Sequence, residues 1–320
     1  RKGLNLNYFY YLLDRVLIHN ANENIYGAKI LNQELIKSAK LIIPSPTEQT
    51  QIADYLDHKT SKIDNLINNK EKLIELLKEE RTSIINQAVT KGLDPNAPMR
   101  DSGIDWLGEI PEGWEIMKLR YIGTCQNGIS EGAEFFGSGS PFVSYSDVYK
   151  NEVLPRTVKG LAQSDEKQQK HYSVEENDVF FTRTSETIEE IGIASICMET
   201  IEKSVFAGFL IRFRPNGDLI FKGFSKYYFR CFIPRVFFVK EMNLVTRASL
   251  SQELLKRLPV VLPSFDEQIE IAKFLNNKTT QIDKTIGKMI TEIELLKEYK
   301  TALISEVVTG KVDVRDEKIN

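Results

Sequence analysis

Leu31-Asn-Gln-Glu-Leu35 returns as Leu250-Ser-Gln-Glu-Leu254, and the offset of 219 (250 minus 31) then holds without a gap as far as Asp94 and Asp313. Of the 64 paired positions 28 are identical, among them Pro44/Pro263, Glu48/Glu267, Gln49/Gln268, Ile52/Ile271, Leu56/Leu275 and Asp64/Asp283. A repeat of this length is a duplicated module, so whatever one copy folds into the other must fold into as well. Each copy reads as a long helix, because apolar residues recur near every 3.5 positions at Ile63, Ile67, Ile74, Leu77, Ile84 and at Ile282, Ile286, Met289, Ile293, Leu296, Leu303. Thr47 and Asp266 are the expected N-caps, and Thr90-Lys-Gly92 and Thr309-Gly310 the expected ends. Some 40 helical residues make a rod of roughly 60 Å, with Asp57 to Ser61 the natural place for a break. The seams are interrupted by Lys70, Arg81 and Lys300, whose stems are expected to lie along the stripe with their charges in solvent.

One chain leaves the first rod, builds a domain and re-enters an equivalent rod, so the two rods are expected to pair antiparallel. Gly92-Leu-Asp-Pro-Asn-Ala-Pro98 reads as a linker. Beyond it a globular region runs from about Ile104 to Leu262. Strands are expected over Gly139 to Val148, Asp178 to Arg183, Ile191 to Cys197, Val205 to Arg214 and Leu258 to Leu262, and helix within Leu219 to Phe237. The fold class is α+β, a mixed α/β globular domain joined to two long helices. A hydrophobic content of 42% supports a sizeable core.

Several function classes lose support. The longest apolar runs, Lys40 to Pro46 and Val205 to Phe213, fall well short of the roughly 20 residues that cross a bilayer. The opening Arg1-Lys-Gly3 lacks the apolar core of a secretory signal, so a cytoplasmic location is expected. Cys125, Cys197 and Cys231 have no paired spacing, and His19, His58 and His171 have no second ligand nearby, so no metal is expected. There is no G-x-x-x-x-G-K-[ST] phosphate loop, no [DNS]-P-P-[YFW] segment and no nucleotide-binding G-x-G; Gly137-Ser-Gly139 reads as a loop. The acid pairs Glu175-Glu176 and Glu189-Glu190 read as solvated surface. The chain is expected to be no enzyme and to carry no cofactor.

The order of segments resembles the specificity subunits of type I restriction-modification systems. Ser102-Gly-Ile-Asp-Trp106-Leu-Gly-Glu-Ile-Pro111-Glu-Gly-Trp114-Glu is similar to the start of their target-recognition domains. Asp178-Val-Phe-Phe-Thr182-Arg183-Thr184 is similar to a strand and turn within them, and Leu250 through Gln268 to the passage into their conserved helices. The resemblance implies a DNA-reading, non-catalytic subunit whose two recognition domains each read half of a split site, with the two helices packed antiparallel between them as a spacer. Implied partners are double-stranded DNA, two methyltransferase (modification) subunits and, through the complex, a restriction/translocase subunit. S-adenosylmethionine, ATP and Mg are expected on those partners alone. The implied organisation is a remnant of the first recognition domain (1–43), first helical spacer (44–94), linker (95–103), second recognition domain (104–262), second spacer (263–313) and tail (314–320). By the offset of 219 the counterpart of Ile104 falls at −115, so about 115 residues of the first domain are expected to be missing from this sequence, and Tyr8-Phe-Tyr10 in its expected remnant matches Tyr227-Tyr-Phe229. Two chains could supply one reader each, making a homodimer on an inverted repeat.

Sequence readout needs donors and acceptors at base edges and cations on phosphates. Ser144, Tyr145 and Ser146, at a strand end, suit base or sugar contacts. Arg183, Thr184, Ser185 and Thr187 set a guanidinium fork among hydroxyls. The net charge is −3, yet residues 203–257 hold 11 Lys+Arg against 3 Asp+Glu, whereas 101–202 hold 8 against 19. That local excess points to Lys226, Arg230, Lys240, Thr246 and Arg247 as a phosphate track, joined by Arg235. The rival readings are a coiled-coil interaction scaffold without DNA specificity and the recognition half of a fused enzyme; the basic excess and hydroxyl-rich loops favour the DNA reader.

Overall fold

The computed structural model describes residues 4–185, 190–242 and 248–317. The chain forms two compact units, residues 1–78 with 282–320, and residues 79–281. The duplicated segments are helices Pro46–Lys91 and Phe265–Val308. Both begin two residues earlier than expected, on Ser45 and Ser264, whose hydroxyls accept from Glu48 N and Glu267 N at 3.3 Å each. Thr47 and Asp266 therefore lie inside the first turn. In the first copy Pro46 explains this, because proline at the first helical position has the right φ and no N–H to satisfy. No break occurs at Asp57 to Ser61. That stretch has no glycine or proline, and Thr60 bonds back to Leu56 O at 2.7 Å within the helix.

In the first unit the two rod segments run antiparallel, since Asp64 pairs with Lys300 at 2.7 Å and Lys70 with Glu292 at 2.5 Å, one number rising as the other falls. Lys70 and Lys300 thus bridge the helices instead of simply reaching solvent, and Arg81, in the second unit, pairs with Glu152 at 3.0 Å. The seam between them is Ile63, Ile67, Ile74, Ile293, Leu303 and Ile304, with Ile286, Met289 and Leu296 against it. Because both lysine pairs are partly solvated, Lys300→Ala is expected to lower stability by only about 0.5–1 kcal/mol in chemical denaturation, and less in high salt.

Both units clamp a short helix onto the start of a rod in the same way. Gln49, which is buried, accepts from Asn5 N at 2.9 Å and donates to Pro44 O at 2.9 Å; Gln268 accepts from Phe221 N at 2.8 Å and donates to Pro263 O at 3.1 Å. Tyr11 donates to Asp57 at 2.6 Å and lies 3.2 Å from the Thr60 hydroxyl, as Tyr227 does to Asn276 (2.8 Å) and Thr279 (3.2 Å). The helices that carry these tyrosines, Leu6–Asn20 and Lys222–Tyr228, therefore correspond at an offset of 216 (227 minus 11). That corrects the match of Tyr8-Phe-Tyr10 to Tyr227-Tyr-Phe229 by one helical turn: Tyr11 is the counterpart of Tyr227.

The second unit is built on a four-stranded antiparallel sheet in the order Ala194–Ile196, Val179–Thr182, Leu210–Pro215, Gly123–Asn127. A smaller sheet joins Val205–Phe206, Phe136–Val143 and Gly160–Ala162. The strand expected over Gly139 to Val148 stops at Val143. There Ser144 and Asp147 form a reciprocal capping box that starts helix Tyr145–Lys150. The helix expected within Leu219 to Phe237 is two, Lys222–Tyr228 and Phe232–Glu241. At the start of strand Val179–Thr182 Asp178 is fully buried and takes Arg214 of the neighbouring strand in a two-pronged contact, Nε to Oδ1 and Nη2 to Oδ2, both at 2.6 Å.

Candidate nucleic-acid interface

Strand Val179–Thr182 is buried along its length and delivers Arg183 to the surface at its end. The backbone of Arg183 is held on both sides: its N–H donates to Phe209 O at 2.9 Å and its carbonyl accepts from Leu250 N at 2.7 Å. Its guanidinium donates to Gly208 O at 3.3 Å, which leaves the other donors of the fork without a protein partner among the described residues. Gly208 admits no side chain, since an added Cβ would come 2.1 Å from Ser130 Oγ and 2.8 Å from Ile129 O. The next residues, Thr184–Ser185, pair antiparallel with Ala248–Ser249, Thr184 opposite Ser249. The arginine turn and the strand leading back to the rod are thus one structure, although they lie 65 positions apart (249 minus 184).

Gly208 also lines a cleft of about 360 Å³ with Ser130, Phe136, Phe142, Ser144, Tyr145 and Phe209. Of the two loops singled out from the sequence, Ser144 and Tyr145 line this cleft, whereas Arg183 does not line it and is joined to it only by its bond to Gly208 O. The Ser144 hydroxyl, however, is held by Asp147 Oδ2 at 2.6 Å, so it serves the helix cap. Ser146 follows in the first turn of that helix, and the Tyr145 ring stacks on Tyr149, centroids 5.8 Å apart. Phe209 was not anticipated. It is 64% exposed on a connection whose apolar neighbours, read in sequence, look like strand interior. Its signal was Gly208, a glycine between two apolar runs.

Three of the six residues of the expected phosphate track, Lys226, Arg230 and Arg235, are engaged by the fold. Lys226 lies over the Tyr227 ring at 4.7 Å and donates to Asn276 on the rod helix at 3.3 Å. Arg230 donates to Ala194 O at 2.6 Å and Asn151 O at 3.3 Å. Arg235 bonds Ile191 O, and Arg212 and Arg214 turn inward to Ser173 O and Asp178. None of these lines the cleft, and Lys226 and Arg230 line a separate, smaller one with Arg81 and Glu152. Lys240 is exposed in the last turn of Phe232–Glu241. Thr187, Thr246 and Arg247 lie outside the described residues, as does the side chain of Ser185.

Burial pushes the thiols of Cys125, Cys197 and Cys231 up to about 12, which makes them inert core groups. Among the described residues no His, Cys, Asp and Glu cluster of three or more could hold a metal, and no helix is long and apolar enough to cross a membrane.

An α+β unit with a partly buried arginine at a strand end near a cleft, in a chain that also carries a duplicated helical rod, defines a class that comparison identifies. The family model for the type I restriction modification DNA specificity domain matches residues 1–77 and 111–295, and the chain belongs to that family. It is 27% identical over 323 residues to the putative type I restriction enzyme MjaX specificity subunit of Methanocaldococcus jannaschii, covering 96% of this chain and 68% of the relative. It is 24% identical to the type I restriction enzyme EcoBI specificity subunit of Escherichia coli, covering 96% and 66%. The chain thus spans about two thirds of the length of these relatives. Among solved structures it is similar in fold to one described as the structural basis of complex assembly and conformational transition of the type I R-M system (TM-score 0.72, 13% identity, 95% of this chain and 71% of that one). It is also similar to the HsdS subunit from Thermoanaerobacter tengcongensis (TM-score 0.57, 14% identity, 97% and 71%).

Proposed function

We propose that this chain is the DNA-sequence reader of a type I restriction-modification enzyme. Residues 104–262 act as a target-recognition domain for one half of a split site, and the rods act as the spacer on which two methyltransferase subunits are held and a restriction subunit recruited. It contributes recognition and no bond-making chemistry; S-adenosylmethionine, ATP and Mg belong to the partner subunits. The observation that supports this reading is a cleft lined by Tyr145 and Phe209 whose Gly208 carbonyl accepts from Arg183, a guanidinium with no other described partner. A guanidinium fork is the group that reads guanine O6 and N7 bidentately, and an exposed aromatic ring beside it offers an apolar face to a base or a thymine methyl.

The test is selection of binding sites from a random duplex pool by the purified chain together with its modification subunit. The expected product is one short block of fixed sequence attributable to residues 104–262, bound with a strong salt dependence. A pool that emerges without enrichment at low and at physiological salt would leave the rods as a protein scaffold and remove the DNA reading.

A further inference from the structure

Arg183 shares its corner of the second unit with a charge of the opposite sign. The loop after strand Gly123–Asn127 and the turn before strand Leu210–Pro215 are bonded together: Ile129 N donates to Phe206 O at 2.9 Å, and Gly208 N to Ile129 O at 2.7 Å. The approach is so close that it needs glycine on both sides. A Cβ on Gly128 would come 2.2 Å from Phe206 O, just as one on Gly208 would meet Ser130 Oγ. Arg183 is tied to the same turn twice, its N–H donating to Phe209 O and its guanidinium to Gly208 O. Gly208 thus links Arg183 to the Ser130-Glu131 loop through a backbone that is held in place before any ligand arrives.

Glu131 lines the cleft, is exposed, and has no hydrogen bond or ion pair among the described residues. It does not pair with Arg183, although a single glycine connects the two. A free carboxylate here is at odds with a phosphate-binding role, because it repels the backbone that the guanidinium attracts. The two signs together suit the major-groove edges of base pairs, where guanine offers the acceptors O6 and N7 while cytosine and adenine offer amino donors. An ionised carboxylate only accepts, so it also rejects a keto oxygen presented at the same place, where lone pairs would face lone pairs.

We propose that Glu131 is a specificity-determining residue of the reader. Its carboxylate accepts from an exocyclic amino group in the major groove, cytosine N4 or adenine N6, beside the guanine edge offered to Arg183. The inference rests on the proposed reading of DNA and adds to it the base chemistry that this cleft takes. The rigid backbone at Gly128 and Gly208 favours such a role, since little ordering of either loop is left for the moment of binding.

Site selection in the presence of the modification subunit, repeated with Glu131→Ala, tests it. One base pair of the selected block should lose its identity in the variant; a relaxed G·C pair assigns the amino group to cytosine, a relaxed A·T pair to adenine. On the wild-type site affinity should fall about tenfold to a hundredfold. An unrelated duplex should bind the variant equally or more tightly, a carboxylate having left the vicinity of its phosphates. Deleting the amino group itself, with purine in place of adenine or 2-pyrimidinone in place of cytosine, should weaken the wild-type chain by a similar factor and add little to Glu131→Ala. Matching melting curves would show that the variant is folded. A selected block identical to that of the wild type, or the same change in affinity on every duplex, would overturn the assignment and leave the DNA reading standing. A wild-type chain that enriches no sequence would overturn both.

Discussion

Replacing Asp178 with Asn is expected to destabilise the second unit by about 3 kcal/mol, measured as a fall in the urea midpoint at unchanged slope. Asp178 is fully buried, and Arg214 holds both of its oxygens while Glu175 N donates to Oδ2 at 2.7 Å. Burial pushes the Asp178 carboxyl up against the pull of Arg214. An asparagine keeps the shape but places an amide N–H₂ against one prong of the guanidinium, leaving the half-buried cation with only the more exposed Glu175 carboxylate, 2.8 Å from Nη1, as counter-charge. Removing one member of such a pair costs more than removing both, since an uncompensated charge is worse than a well-filled apolar site. The double variant Asp178→Leu with Arg214→Met should therefore lose less stability than Asp178→Asn alone. A double variant worse than the sum of its singles would show that the contact is not what holds this corner of the sheet.

Arg183→Ala is expected to leave the fold intact and to weaken DNA binding by about 1–3 kcal/mol, with relaxed preference at a single base pair, if the fork reads a guanine. Structurally the side chain makes one described hydrogen bond, to Gly208 O, so its removal disturbs little besides the interface. Arg183→Lys should rescue poorly, because a point charge cannot make two parallel bonds. Equal weakening on every sequence, with a shallower dependence of affinity on salt, would assign Arg183 to a phosphate. Binding unchanged for both variants at fixed salt would mean that the cleft does not face DNA.

The rods were legible because their signal is local and repeated. A stripe at helical spacing, copied at an offset of 219, fixes type and length to within two residues at each end. Their antiparallel pairing also followed, from one chain leaving the first rod, building a domain and re-entering an equivalent rod, and the ion pairs of the first unit run in that order. The recognition region was read less well. Its strands Val179–Thr182 and Pro259–Leu262 show as apolar runs, whereas Glu115–Lys118 and Gly123–Asn127 carry too little apolar character to stand out. The basic excess over residues 203–257 was real but misleading as a surface map. Composition counts a guanidinium equally whether it faces solvent or, like Arg212 and Arg214, bonds a buried carbonyl or carboxylate.

The amino-acid sequence by itself determined that this protein has two equivalent helical rods around a mixed domain, since periodicity and self-similarity act between near neighbours and between copies. Only the tertiary structure decided which cations the fold itself engages, that the Arg183 turn pairs with Ala248–Ser249, and that Arg183 bonds the carbonyl of Gly208, which lines the cleft of Tyr145 and Phe209. It also decided that the helix before the first rod corresponds to its counterpart at 216 and not 219. Those facts depend on contacts between residues tens of positions apart. No local propensity encodes them, and each is selected by what the surrounding groups leave to be buried, paired or exposed.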